Sequence, residues 1–351
     1  MGKKVIMIGQ FPPLITGEAT SNKLVLDTLS NFGFTVRYVN TCIIKNANDV
    51  GRFSIYKLFL AIWLSVKSLF YVFLSDIVYV TPGQTLLGFI RFIPTLALSY
   101  ILKKKLILHW HGYGIYYFLK VHRCFIGFVF NQKSINVLLT SDLYEKISVL
   151  GADVNKVKVV SNFVTLQEIY AADLMASQER KLNVLYLSSL MPEKGFNTFI
   201  EACSKTDKFD FYVCGSGSEN QIKLVETAQN NGFVKYLGVI TGKEKEDIFS
   251  KTDVFVLPTS YITEGVPLTI LEAMSFGCAI VTTRHNGIPE TVECSAMFIN
   301  QNDPDDLLNA LYSLDMDREF LFDIKLKSYR RSRHFSETVF KEKLINLFLS
   351  A

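Results

Sequence analysis

The segment 258–277 gathers residues whose types and spacing could do chemistry. Pro267 suits a first helical turn and Gly277 a C′ position, which predicts a short helix over 267–276. The head of such a helix offers free backbone N–H groups and a positive dipole end, a ready seat for a phosphate. Glu264 stands just before that end and Glu272 well inside the helix. Carboxylates accept hydrogen bonds from vicinal hydroxyls, so a sugar at Glu264 and a ribose at Glu272 would suit the spacing. A helix-end charge at Glu264 and a solvated side chain at Glu272 suit it as well. A second loop, 188–196, places Lys194 near the start of the next helix, where the dipole disfavours a cation. An anionic ligand would offset that conflict, and a solvent-exposed lysine bonded to nothing is the simpler alternative.

Short apolar runs of strand length alternate with helix-period segments along the whole chain, the pattern of parallel sheets joined by crossover helices. The runs 4–8, 35–39, 77–80, 106–110, 136–140 and 157–160 supply strands for one sheet. Those at 183–187, 209–214, 234–237, 253–257, 279–282 and 296–299 supply a second. The expected fold is α/β, with two Rossmann-like doubly wound domains. The first is expected over 1–168 and the second over 169–335, with a polar linker within 165–181. A last helix in 336–351 could pack back on the first domain. Ligands of such sheets bind outside the carboxyl ends of the strands, so the two domains are expected to face a central cleft.

The 351 residues carry a net charge of only +4, but 1–170 hold +10 and 171–351 hold −6. The length suits two domains and excludes a disordered tail or a disulfide-stapled module. The six cysteines are scattered and include no C-x-x-C pair, as in small buried hydrophobes of a reducing compartment. The apolar run at 5–8 is too short for a signal peptide core, so a cytosolic chain is expected. The stretch 53–74 is apolar but interrupted by Lys57 and Lys67, which argues against spanning a membrane. Between 50 and 123, nine Lys or Arg oppose the single acid Asp76. Such a surface would lie on an anionic bilayer, with 52–105 touching it; a buried helix with snorkelling lysines is the alternative.

Taken in order, Glu264-Gly265-x-Pro267 with Glu272-Ala273-Met274, Pro192-Glu193-Lys194-Gly195, Val281-Thr282-Thr283 and Asn286-Gly287-Ile288-Pro289-Glu290 resemble glycosyltransferase family 4, retaining enzymes of the GT-B architecture. His111-Gly112, Ser161-Asn162-Phe163-Val164 and Phe335-Ser336-Glu337 extend the resemblance over nearly the whole chain. It implies that Glu272 binds the nucleotide ribose and Glu264 a donor-sugar hydroxyl. The amides from Val266 through Pro267 and Leu268 to Thr269 would hold the sugar and diphosphate, with Lys194 as the cation. Gly17 would let backbone approach the phosphates, and His111 would lie beside the anomeric centre. Ser189 stands where the family usually has an arginine, a loss that Arg284 or the helix head could offset.

No cofactor is expected beyond the nucleoside diphosphate sugar itself, and no catalytic metal. Asp303-Pro304-Asp305 and Asp315-Met316-Asp317 read as helix caps, and His109 and His111 share a strand face without an apparent third ligand. The implied function is hexosyl transfer to a lipid-linked saccharide in surface polysaccharide (O-antigen or capsule) assembly, on the cytosolic face of the inner membrane. The expected partners are the donor, that acceptor and the anionic leaflet, not nucleic acid. Alternatives are a sugar-nucleotide 2-epimerase of the same architecture and a non-catalytic partner subunit.

Overall fold

The computed structural model describes residues 2–13, 16–42, 55–131, 133–170, 174–175 and 180–349. The expectations at 52–54, at part of the 165–181 linker and at residues 14–15 beside Gly17 lie outside the described residues. The chain divides into two compact units, Met1–Asn162 with Thr338–Ala351, and Phe163–Glu337. The break thus falls ahead of residue 168, because Val164 is already held by the second unit. Its N–H donates to the Phe335 carbonyl at 2.7 Å, and it bridges to Ser336.

The first unit is a parallel sheet of β1 (Lys4–Gly9), β2 (Thr35–Asn40), β3 (Ile77–Val80), β4 (Lys105–His109), β5 (Ser134–Leu138) and β6 (Val157–Val159), ordered β2-β1-β3-β4-β5-β6. The second has β7 (Asn183–Leu187), β8 (Asp210–Cys214), β9 (Lys235–Tyr236), β10 (Val254–Leu257), β11 (Ala279–Thr283) and β12 (Ala296–Ile299), ordered β12-β11-β10-β7-β8-β9. Central strands such as Val5-Ile6-Met7-Ile8 and Val254-Phe255-Val256-Leu257 are buried on both faces, which is why they are apolar without alternation. β4 and β5 start earlier than the apolar runs suggest, because Lys105 pairs with Ile77 and Ser134 with Leu106. Ladder hydrogen bonds include polar residues that hydrophobicity leaves out.

Strand order reverses direction between β1 and β3 in the first unit and between β7 and β10 in the second. At such a switch point the connections leaving the two neighbouring strands run to opposite faces of the sheet, opening a crevice at the carboxyl ends. In the second unit, the loops meeting there follow β7 and β10, the two loops that hold Lys194 and Glu264. The final helix, Glu337–Leu349, seats Phe348 in the first unit against Phe34 and Tyr79, at ring distances of 6.0 and 5.9 Å.

The helix Ile55–Phe73 has two apolar sides. Ser68 and Val72 are buried, whereas Phe59, Ile62, Trp63, Val66, Phe70 and Phe73 are each more than half exposed. Their spacing of three or four residues makes one continuous stripe, and the Lys67 ammonium sits 5.3 Å from the Trp63 ring. Among the described residues no helix is long and apolar enough to cross a membrane.

Candidate functional site

Gly195 holds the β7 loop against the β10 loop. Its φ is +78°, and a Cβ there would stand 2.2 Å from the Pro258 carbonyl oxygen, so only glycine fits. The preceding turn, Pro192–Lys194, then directs the Lys194 ammonium onto the Glu264 carboxylate in a short ion pair. Lys194 is therefore partnered, unlike the exposed lysine of the simpler reading. Its Nζ also lies 4.8 Å from the Tyr261 ring centre. Glu264 is 8% exposed and receives the Thr259 hydroxyl at 3.4 Å.

The motif residues around 281–290 secure this loop. Thr282 donates to the Leu257 carbonyl at 2.8 Å, and Thr283 donates to that of Thr259. Asn286, at φ +46°, gives its amide to the carbonyls of Ile262 and Glu264 at 2.9 and 3.1 Å. Ser189 is exposed at the end of β7, and the Arg284 guanidinium is stacked on Phe298, 4.0 Å from the ring centre.

The helix after Glu264 spans Leu268–Ser275, with Pro267 as an extended N-cap that makes no side-chain cap and Gly277 at φ +67° beyond its end. Proline has no N–H, so Pro267 cannot be one of the donors in the 266–269 set. It shapes the turn, while the first-turn N–H groups of Leu268 and Thr269 have no partner within the helix. Val266 and Pro267 are buried, and Leu268 and Thr269 are half-buried.

One turn further on, Glu272 is half-buried rather than solvated. Lys245, in the helix Gly242–Lys251, approaches Oε1 at 2.6 Å, and Oε2 is enclosed with no partner among the described residues. Burial raises the pKa of Glu272, with Lys245 opposing the rise. Lys245 carries no local signal in the sequence, because only the fold brings it to Glu272.

In the first unit, Thr16 caps the helix Gly17–Asn31 by accepting the Ala19 N–H at 3.1 Å, and Gly17 is exposed as its first residue. The next residue, Glu18, was not singled out by the sequence. Its carboxylate bridges the β1/β3 crevice, accepting from the Thr81 hydroxyl at 2.8 Å and the Gln10 N–H at 3.2 Å. The residue is half-buried, but its carboxylate is turned inward, and burial raises its pKa despite these donors.

His111 follows β4, its ring 4.2 Å from that of His109. Tyr79 Oη lies 2.6 Å from His109 Nδ1, while both nitrogens of His111 are closed off without a partner among the described residues. Burial brings His111 down to about 4, and burial with the His111 neighbour takes His109 well below its usual value. Both imidazoles are neutral at pH 7. As pH falls below about 6.5, the unfolded chain takes up protons that the folded chain refuses. Folding stability is therefore expected to fall between roughly pH 6.5 and 4, by up to about 1.4 kcal/mol per pH unit for each imidazole. Urea midpoints at pH 7.5, 6 and 5 check this, and the slope should flatten in His109→Gln/His111→Gln.

Among the described residues no three His, Cys, Asp or Glu side chains converge on a metal-sized space. Asp303 and Asp317 each cap a helix, accepting the N–H of Asp306 and Phe320, and Asp315 pairs with Arg318 at 2.6 Å.

Two parallel, doubly wound six-stranded sheets define the GT-B class of fold. The solved structure of Anabaena HepE in complex with UDP-glucose shares it at a TM-score of 0.75 and 15% identity, over 99% of this chain and 100% of that one. Residues 181–317 match the family model described as glycosyl transferases group 1. The amylovoran biosynthesis glycosyltransferase AmsK of Erwinia amylovora is 25% identical over 205 residues, 55% of this chain and 50% of that protein. The N,N'-diacetylbacillosaminyl-diphospho-undecaprenol alpha-1,3-N-acetylgalactosaminyltransferase of Campylobacter jejuni is 25% identical over 173 residues, 48% of this chain and 45% of that protein. The chain spans about half the length of the curated relatives it matches.

Proposed function

We propose that this chain is a retaining, metal-independent glycosyltransferase of family 4 that moves a hexosyl unit from a nucleoside diphosphate sugar to an acceptor hydroxyl. The observation that carries the reading is the Lys194–Glu264 pair at the β7/β10 switch point, followed by the open amide end of the helix that bears Glu272. In the reaction, the bond from the anomeric carbon to the diphosphate oxygen breaks and a bond to the acceptor oxygen forms on the same face. The acceptor's proton passes to the departing phosphate.

Most of the barrier lies in charge gathering on the diphosphate, so preorganised positive groups supply most of the help. Lys194 and the N–H groups of Leu268 and Thr269 fill that role, in place of the arginine that Ser189 replaces. Glu272 takes the ribose hydroxyls and Glu264 a sugar hydroxyl, while Val266 and Pro267 shape the turn. From the first unit, Gly17 admits the phosphates. His111 offers a neutral imidazole beside the anomeric centre, where an added positive charge would oppose an oxocarbenium-like carbon.

The acceptor in this reading is a lipid-linked saccharide of surface polysaccharide assembly (O-antigen or capsule), met at the cytosolic leaflet of the inner membrane. The apolar stripe on Ile55–Phe73, with Lys67 at its side, supports a peripheral seat on an anionic surface. The printed name of the Campylobacter relative supports a diphospholipid carrier.

Calorimetry with a panel of nucleoside diphosphates, followed by their sugars with crude lipid-linked saccharides and mass spectrometry of the products, tests the reading. One nucleotide should bind, and Glu272→Ala should weaken it about tenfold or more, because a charged hydrogen bond to a hydroxyl is lost. No binding by any nucleotide, or an epimerised donor as the product, would sink it.

A further inference from the structure

A second group of cations lies at the opposite edge of the first sheet, where strands begin rather than end. Lys105 opens β4, Lys133 precedes β5, and Lys156 and Lys158 lie just before and within β6. Leu106 pairs with Ser134 and Asn136 with Val157, which sets Lys105 level with Lys133 and Ile135 level with Lys156. Because side chains alternate faces along a strand, all four lysines fall on one face. They line a cavity of about 460 Å³ together with Asn155, Ile135 and Leu347.

No carboxylate lines this cavity, and Lys133 and Lys158 enter no ion pair among the described residues. Lys105 donates to the Phe348 carbonyl at 2.9 Å, and burial, with Lys3 nearby, brings its ammonium down to about 8. Like charges on adjacent strands destabilise a sheet. Lysines on the edge strand β6 have a use in blocking edge-to-edge pairing, but that use does not extend to Lys105 and Lys133 on β4 and beside β5, inside the sheet.

We propose that this cavity is an anion site, formed by Lys105, Lys133, Lys156 and Lys158, that takes a phosphate or diphosphate group remote from the carboxyl-end crevice. The volume is that of a small-ligand pocket, and the apolar walls from Ile135 and Leu347 leave room for the group that bears the phosphate. That group is either a soluble phosphate ester or the headgroup of an anionic lipid. The site does not depend on the glycosyltransferase reading.

The test titrates inorganic pyrophosphate into the full chain and into Lys133→Ala/Lys158→Ala. Lys223→Ala/Lys243→Ala, which removes two exposed lysines of the second unit, controls for net charge. In parallel, flotation compares vesicles of phosphatidylcholine with vesicles containing phosphatidylglycerol. The site predicts that the Lys133/Lys158 pair weakens pyrophosphate or anionic-vesicle binding about tenfold or more, that the control pair does not, and that Lys133→Arg/Lys158→Arg restores it. Loss of flotation in the alanine pair identifies a lipid headgroup, and loss of pyrophosphate binding with flotation intact identifies a soluble ester. Equal loss in the control pair, no loss in the alanine pair, or no binding of either probe by the native chain overturns the proposal.

Discussion

Lys194→Ala should lower kcat/KM for sugar transfer by about a hundred- to a thousand-fold, the range found when one preorganised donor to a developing oxyanion is removed. Stability should fall as well. Glu264 is 8% exposed, and without Lys194 its carboxylate lacks its cation; breaking a buried pair from one side costs about 3–5 kcal/mol. The two losses can be separated. Lys194→Met/Glu264→Gln removes both charges and should recover most of the urea midpoint while leaving transfer depressed. A Lys194→Ala protein whose kcat/KM stays within tenfold of the native value would remove this lysine from the leaving group. Salt should act on the donor as well, because Lys194 is paired with Glu264 and the diphosphate must share or displace that partner.

The second large effect is on folding. Asp253 is 2% exposed at the amino end of β10 and takes a two-pronged grip from Arg180, with Nη1–Oδ2 at 2.6 Å and Nη2–Oδ1 at 2.9 Å. Lys325, 5% exposed, reaches Oδ1 at 3.3 Å, and the Asn183 N–H donates to Oδ2 at 3.0 Å. Asp253→Ala strands Lys325 and the Asn183 amide and is expected to cost about 3–5 kcal/mol, read as a lower urea midpoint at unchanged slope. A drop below 1 kcal/mol would show that this cluster is dispensable. Burial alone would raise the Asp253 pKa, but Arg180, Lys325 and the amide outweigh it and lower it. Its contribution is therefore full above about pH 4, the unfolded value, and is lost as pH falls through the lower folded value.

Asp253 also explains why site and scaffold respond together. It ties the amino ends of β7 and β10, and the carboxyl ends of the same two strands carry Lys194 and Glu264. A milder change here, Asp253→Asn, would loosen the strands that set the spacing of that pair.

Sequence made the strands legible because parallel strands buried on both faces are short apolar runs, a signal that depends on neighbours along the chain. It made Lys194, Glu264 and Glu272 legible as candidates because turn-forming Pro and Gly residues mark the loops that hold them. Partnerships were not legible. Lys194 meets Glu264, Lys245 meets Glu272, and Glu18 meets Thr81 only because of strand order and crossover side, and neither is written in local composition. Pro267, by its residue type alone, supplies no N–H to the amide set over 266–269. The row Lys105, Lys133, Lys156 and Lys158 was hidden for the same reason as the ion pairs, since it needs the register of three strands.

The seat of Phe348 has a consequence for the order in which the protein is made. The first sheet emerges from the ribosome early, but the ring that packs on Phe34 and Tyr79 follows the entire second unit. At roughly 5–20 residues per second, that wait is on the order of ten seconds or more. Until then Tyr79 and Lys105 lack their cover, so the nascent first unit presents an apolar socket. The helix Glu337–Leu349 thus serves as a latch, closing the earliest-made core only after the second unit has been made.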